Sequence, residues 1–171
     1  MTPQQFKENI LPLKDKMYRF ACRLVEDAEE AQDLVQEVFM RLWDRKGDIQ
    51  QYKSVEAFAL TMTRNLCIDW LRTSGRLRKD DPSEMELADP VTPYDLTEMR
   101  DTAARINHLI SHLPEQQKVI LHLRDIEGYD FDEIAAILGL NLNVIRVNLS
   151  RARKKIKEQL VKVHQYDLQR N

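Results

Sequence analysis

Apolar residues recur at steps of three and four in three segments of the first 74 residues, which predicts three amphipathic helices. The helices are expected at about 5–24, 28–43 and 55–72. The apolar stripe of the third is the broadest, which fits a central helix packed on two sides. Its predicted core residues are Ala59, Leu60, Met62, Leu66, Cys67, Trp70 and Leu71.

The last third of the chain predicts three more helices with short connections. Pro114 is placed at the first position of one helix, where its missing N–H costs nothing. Asp130 and Glu133 form a capping box for a second, short helix, which Gly139 ends. Asn141 is the predicted N-cap of the last helix. Three helices joined in this way have the layout of a helix-turn-helix.

The outer face of the last helix is cationic and rich in hydrogen-bonding groups, opposite an apolar stripe that includes Ile145 and Leu149. Arg suits guanine and Asn suits adenine in the major groove, while Lys and Ser suit phosphates. An ordinary solvated face would show the same charges. The candidate DNA contacts are Asn143, Arg146, Val147, Ser150, Arg153, Lys154 and Lys157.

Helical periodicity is lost across residues 75–100, where Pro82, Pro90 and Pro93 break helices. This segment is predicted to be a flexible, extended linker. It separates a helical domain of residues 1–74 from a helix-turn-helix domain of residues 101–163, which a short polar tail of residues 164–171 follows. Only four glycines and few alternating runs favour an all-α fold of two small helical domains.

Two helices of the first domain carry polar faces of interest. The outer face of the second helix combines the acids Glu29, Asp33 and Glu37 with Gln36 and an outward Met40. Such a face marks either a protein interface or simple solubility.

The narrow polar face of the third helix suits single-stranded nucleic acid, since an aromatic ring can stack on bases and Arg can hold the backbone. An ordinary polar face of a helical bundle is the alternative. The residues of that face are Phe58, Thr61, Arg64, Asn65, Ile68, Asp69 and Arg72.

Composition and charge limit the classes of function that the chain can have. The net charge of −2 is unusual for a non-specific DNA binder, so basic patches are expected to be offset by acidic ones. No apolar run is long enough to span a bilayer and no signal peptide is visible. Cys22 and Cys67 fit buried, reduced thiols and a cytoplasmic location. No constellation for catalysis, metal binding or a cofactor is found, so an enzyme is not expected.

Three segments together resemble bacterial RNA polymerase sigma factors of the extracytoplasmic-function (ECF) group. DAEEAQDLVQEVFMRLW (27–43) is similar to the polymerase-binding helix of that family, and SVEAFALTMTRNLCIDWLR (54–72) to its promoter-melting helix. Residues 113–156 are similar to its C-terminal helix-turn-helix. The resemblance covers most of the chain in the family's order.

The resemblance implies partners and roles. Asp33, Leu34, Gln36 and Glu37 match the DLVQE motif, which with Met40 would dock on the clamp helices of the polymerase largest subunit. Asn65 matches the position that helps select a flipped base of the minus-ten promoter element, in a pocket shaped by the loop of residues 44–54. The helix that reads the minus-thirty-five element is matched by Arg146, Ser150, Arg151, Arg153 and Lys154.

The family resemblance also implies an apolar groove for the polymerase flap tip and control by an anti-sigma factor, commonly bound to a membrane. Residues 143–148 depart from the family's usual sequence, so the minus-thirty-five sequence does not transfer. Phe58 stands where the family often has Trp, which keeps an aromatic ring. Two alternatives stay open: a free-standing helix-turn-helix regulator that binds duplex DNA without polymerase, and a protein-binding helical adaptor.

Overall fold

The computed structural model describes residues 1–76, 91–97, 99 and 101–170, apart from the side chains of 50 and 170. In those ranges the regular elements are all helical. We call residues 1–76 the N-terminal unit and the described residues from 91 onward the C-terminal unit. The predicted all-α fold of two helical parts is confirmed. None of the described helices is long and apolar enough to cross a membrane.

The N-terminal unit is built on α2 (Lys14–Val25), α3 (Ala28–Asp44) and α4 (Val55–Thr73), which pack against one another. Asp27 caps α3 by accepting hydrogen bonds from the backbone N–H groups of Glu29 and Glu30. Ser54 caps α4 by accepting from the backbone N–H of Ala57. These caps set the starts of α3 and α4 where the sequence predicted them.

The predicted single helix over residues 5–24 is wrong. The chain forms α1 (Pro3–Asn9), a 3₁₀ turn (Leu11–Leu13) and then α2. Pro12 is the physical reason, because it has no N–H to donate and its ring collides with the carbonyl four residues earlier. The apolar positions on both sides of the break still reach the core, since Ile10 and Met17 are fully buried.

The C-terminal unit contains α5 (Pro93–Thr97), α6 (Thr102–Ser111), α7 (Glu115–Leu121) with a following π-helical turn (His122–Ile126), α8 (Phe131–Leu138) and α9 (Leu142–Arg170). The capping box of Asp130 and Glu133 is confirmed. Gly139 ends α8 in the left-handed region, with φ of 66°. Pro114 is the N-cap of α7 rather than its first helical residue.

The predicted extended linker falls mostly on residues 77–90, 98 and 100, which lie outside the described residues. Its last part is wrong, because Pro93–Thr97 is helical. Thr92 and Asp95 exchange hydrogen bonds at the start of this helix, and Leu96 is fully buried against Leu109 and Val163. The predicted polar tail is also helical, since α9 continues to Arg170.

The two units share one apolar core. Buried residues of α2, α3 and α4 join those of α7, α8 and α9 in a single cluster. α2 packs on α3 and α4 within the N-terminal unit, and it also contacts α7 of the C-terminal unit. α8 of the C-terminal unit packs on α4. The helix-turn-helix is therefore held against the N-terminal unit.

His122 marks the centre of this shared core. Its side chain is 2% exposed and its ring stacks on Phe20 of α2, with centroids 5.8 Å apart. Burial lowers the pKa of the imidazole to about 4, and the nearby Arg23 guanidinium adds to the effect. Among the described residues, neither ring nitrogen has a hydrogen-bond partner, although Nε2 lies 3.5 Å from Oε1 of Glu127. His122 is thus held neutral in the folded chain.

We predict that acid destabilises the chain through His122. The unfolded imidazole binds a proton below its ordinary pKa of 6.5, whereas the folded one does so only near 4. The free energy of unfolding should therefore fall by up to about 3 kcal/mol as the pH drops from 6.5 to 4. Urea unfolding across this range measures the fall. His122→Phe keeps a ring against Phe20 and cannot be protonated, so its curve should be flatter; an equal slope for both proteins would contradict the assignment.

Candidate nucleic-acid interface

The outer surface of α9 is positioned by its cap and its apolar stripe. The backbone N–H of Val144 donates to Oδ1 of Asn141 at 2.9 Å, which confirms the predicted cap. Ile145, Leu149 and Ala152 are buried behind it. All predicted DNA contacts on this helix are exposed, and we call them the α9 face: Asn143, Arg146, Val147, Ser150, Arg151, Arg153, Lys154 and Lys157.

Two residues organise cations of the α9 face and were missed by the sequence analysis. Asp125 accepts two hydrogen bonds from Arg153, at 2.9 Å to Nε and 2.5 Å to Nη2, and this pairing raises the pKa of Arg153. The ring of Phe131 lies under the guanidinium of Arg146, 5.4 Å from its centroid. Asp125 and Phe131 lie outside α9, so the helical spacing within α9 does not signal these contacts.

Asn148 turns inward, although it lies in the segment that departs from the family sequence. Its side chain is buried and its Nδ2 donates to Oε1 of Gln116 at 3.0 Å and to the Val144 carbonyl at 2.9 Å. It therefore fixes α9 against α7. Within residues 143–148, the outward groups are those of Asn143, Arg146 and Val147.

A second candidate surface runs along α4, and we call it the α4 strip: Phe58, Thr61, Arg64, Asn65, Asp69 and Arg72. Asn65, Asp69 and Arg72 are exposed, and Arg72 Nη1 lies 3.9 Å from Oδ1 of Asp69. Phe58, Thr61 and Arg64 are half-buried. The strip thus presents an amide and an ion pair at one end and an aromatic ring at the other.

Tyr52 extends the α4 strip and was missed by the sequence analysis. Its ring stacks on Phe58 with a centroid separation of 4.0 Å and an interplanar angle of 14°, yet it stays 42% exposed. The fully buried Ile49 anchors the loop that carries it. Two stacked rings at the edge of the strip offer a platform for an unpaired base. Tyr52 lies in an irregular loop, where helical periodicity gives no signal.

The third candidate surface lies on α3, and we call it the α3 face: Asp33, Leu34, Gln36, Glu37 and Met40. Asp33 and Gln36 are exposed, and Met40 is 62% exposed. Glu37 pairs with Arg41 at 2.7 Å. Leu34 and Glu37 are half-buried, and Leu34 also packs against the core. The face combines acids with an exposed apolar side chain, which suits a basic, partly apolar partner.

An apolar groove of about 720 Å³ lies between α6, α7 with its π-helical turn, and α9. Its walls include Ile106, Leu121 and Ile156, and Lys157 and His164 also line it. In the described part of the chain no group of three or more His, Cys, Asp or Glu residues is placed to hold a metal ion. The apolar residues of its walls suit the groove to apolar side chains.

Each of the two units matches the model of a known protein family. Residues 10–77 match the family model described as Sigma-70 region 2, and residues 103–156 match that described as Sigma-70, region 4. The chain belongs to the sigma-70 family. The two matches include the α3 face, the α4 strip and almost all of the α9 face; Lys157 follows the second match by one residue.

Curated relatives place the chain in the ECF group of this family. The ECF RNA polymerase sigma factor SigE of Mycolicibacterium smegmatis is 30% identical over 154 residues, which cover 86% of this chain and 58% of the relative. The RNA polymerase sigma-E factor of Streptomyces coelicolor is 29% identical over 157 residues, covering 92% of this chain and 86% of the relative. The chain thus spans little more than half of the first relative's length.

A solved structure shares the fold of this sigma-70 family member. The sigma factor RpoE of Bartonella quintana, in complex with the anti-sigma factor NepR, superposes with a TM-score of 0.72. The match covers 92% of this chain and 97% of the other at 24% sequence identity. The helical architecture of the two units is therefore an established one.

Proposed function

We propose that this chain is a sigma factor: it binds core RNA polymerase and directs the enzyme to promoters. The observation that carries the proposal is the presence of three exposed surfaces, in the family's order, on one chain. The α3 face would bind polymerase, the α4 strip the minus-ten element and the α9 face the minus-thirty-five element. A free-standing regulator would leave the α3 face without a role.

Docking on polymerase is supported by the chemistry of the α3 face. Acids such as Asp33 steer a basic partner and set register, whereas an exposed Met40 supplies apolar area that can be desolvated. The clamp helices of the polymerase largest subunit are the proposed partner. The apolar groove beside α9 is the proposed site of the polymerase flap tip, because its walls offer Ile106, Ile110 and Leu160 to apolar side chains.

Recognition of melted DNA is supported by the composition of the α4 strip. Asn65 is an exposed amide that can donate to and accept from the edge of a flipped base. The Tyr52–Phe58 stack lies at the other end and can take a neighbouring base on its open ring face. Capture of extruded bases offsets the cost of unstacking them, so the strip would recognise and melt the minus-ten element in one step.

Recognition of duplex DNA is supported by the α9 face. A helix-turn-helix places its second helix in the major groove, with residues near its N-terminus on base edges. Asn143 and Arg146 occupy that position, while Lys154 and Lys157 lie farther along and suit phosphates. Arg153 is held in a fixed direction by Asp125. This division separates groups that read sequence from groups that hold the backbone.

The proposed activity is binding rather than catalysis, and the chain would act where core polymerase works, in the cytoplasm. An anti-sigma factor, in some systems membrane-bound, is the proposed regulator. The solved sigma factor RpoE of Bartonella quintana is in complex with an anti-sigma factor, NepR. Nothing in the proposed mechanism requires a metal or a cofactor.

A double charge reversal on the α3 face tests polymerase docking. The double change Asp33→Lys with Glu37→Lys should reduce binding to bacterial core polymerase at least about tenfold, because it places cations opposite a basic partner. Gel filtration with core, or fluorescence anisotropy of labelled protein, measures the loss. Helix content should not change, because both residues lie on the outer side of α3.

Glu8→Lys with Asp15→Lys is the matched control, since it makes the same change of net charge at exposed positions of α1 and α2. The control should bind core as the parent does. Equal binding by parent, control and α3 variant would remove Asp33 and Glu37 from the interface.

Single substitutions on the α9 face separate base reading from backbone holding. With polymerase present, Arg146→Ala should weaken promoter binding by about 1–3 kcal/mol and relax sequence preference within the minus-thirty-five element. Lys154→Ala should weaken all sequences alike and lower the slope of log affinity against log salt by about 1. Titrations of matched and mismatched duplexes at several salt concentrations measure both effects. Identical behaviour of the two variants would contradict the assignment.

A further inference from the structure

Val147 is the apolar member of the α9 face, and its side chain is 46% exposed. On the helix surface its neighbours are Asn143, one turn before it, and Ser150 and Arg151, one turn after it. Each of these three neighbours can form hydrogen bonds to a base edge or to a phosphate, whereas Val147 cannot. An apolar side chain therefore lies in the middle of the polar groups proposed to contact duplex DNA.

The direction of Val147 is fixed by its neighbours along the chain. Ile145 is fully buried in the core, and Asn148 is 8% exposed. Asn148 Nδ2 donates to Oε1 of Gln116 in α7 at 3.0 Å and to the Val144 carbonyl at 2.9 Å. α9 therefore cannot turn about its axis without losing both contacts. Because Val in a helix strongly prefers one χ1 rotamer, its two methyl groups also keep one main direction.

Val147 lies in the second turn of α9, which begins at Leu142. In a helix-turn-helix, residues near the N-terminus of the second helix contact base edges in the major groove. Asn143 and Arg146, the proposed base readers, lie in the same two turns, whereas Lys154 lies about 10 Å farther along the helix axis. Val147 thus belongs with the groups proposed to read sequence and not with those that hold the backbone.

The major groove offers one methyl group to an apolar side chain, at C5 of thymine. The other groups on its floor are hydrogen-bond acceptors and amino donors, which bind water until a protein group replaces it. Val147 has no donor or acceptor, so covering one of those groups would leave it unsatisfied at a cost in affinity. Contact with the thymine methyl instead removes apolar surface of both partners from water. The side chain therefore favours thymine at the place it covers and disfavours the other bases.

We propose that Val147 reads a thymine of the minus-thirty-five element through the C5 methyl group of that base. This role rests on the proposed function and names one base of the sequence that the α9 face would recognise. Arg146 and Val147 are adjacent in α9, and successive base pairs are about 3.4 Å apart. The thymine should therefore lie within about two base pairs of the position whose sequence preference is relaxed by Arg146→Ala.

Replacement of thymine by uracil in the duplex removes the methyl group alone and so isolates this contact. Core polymerase with the full chain first selects duplexes from a pool randomised across the minus-thirty-five region, which identifies the preferred thymines on both strands. The selected duplex is then titrated with thymine or uracil at each of these positions. At one position the parent should bind the thymine duplex about fourfold more tightly, as expected for burial of one methyl group. Val147→Ser should bind the two duplexes equally at that position.

Val161→Ser is the matched control, because Val161 is 47% exposed on the same helix and lies about 20 Å beyond Val147. Ser and Val have similar helix propensities, so neither substitution should disturb α9. The control should keep the parent's ratio of affinities for the thymine and uracil duplexes. Val161 also lines the apolar groove, and an effect of its substitution on polymerase binding cancels in that ratio.

Equal affinity of the parent for thymine and uracil at every selected position would overturn the reading of thymine by Val147. So would an unchanged ratio in Val147→Ser, or the same loss of the ratio in the control.

Failure of the parent and both variants to bind core polymerase would overturn the proposed function instead. The same pool is then selected and titrated with the full chain alone at low salt, where phosphate contacts are strongest. The ratios measured there decide the role of Val147 by themselves, and absence of binding to any duplex would overturn that role as well.

Discussion

The packing of α2 against α3, α4 and α7 is the contact on which the placement of every candidate surface depends. One side of this helix buries Met17 and Ala21 in the N-terminal core. An adjacent side holds the C-terminal unit through Phe20 and the charged residues Arg19 and Glu26. A single helix thus joins the N-terminal core to the C-terminal unit through both apolar packing and charge pairs.

The three candidate surfaces differ in chemistry as well as in position. The α3 face is acidic with an apolar Met40, the α4 strip combines aromatic rings with an amide, and the α9 face is cationic. Their charges offset one another, which explains a net charge of only −2 in a chain with a cationic α9 face. Such a balance limits non-specific attraction to DNA, since that attraction grows with the number of phosphates neutralised.

Local signals predicted much of this structure, because caps and helical periodicity act over a few residues. Asn141, Gly139 and the Asp130–Glu133 pair lie where the sequence placed them, and every residue predicted for the α9 face is exposed. The break at Pro12 was missed, because apolar spacing continues through it while the backbone cannot.

Contacts between distant segments could not be predicted in this way. The burial of Leu96, the pairing of Arg153 with Asp125 and the stack of Tyr52 on Phe58 each depend on how separate segments meet. The same is true of the contacts between α2 and the C-terminal unit, since Arg23 and Arg19 lie 84 and 108 residues from their partners. Periodicity says which side of a helix is apolar, but it does not say which helix covers the remaining side.

Run-off transcription with bacterial core polymerase on a promoter library, with and without this protein, tests the central claim most directly. Initiation that depends on the protein, at templates sharing two sequence blocks separated by a fixed spacing, is the result expected of a sigma factor. If no initiation depends on the protein, and the protein forms no complex with core polymerase, the account is contradicted.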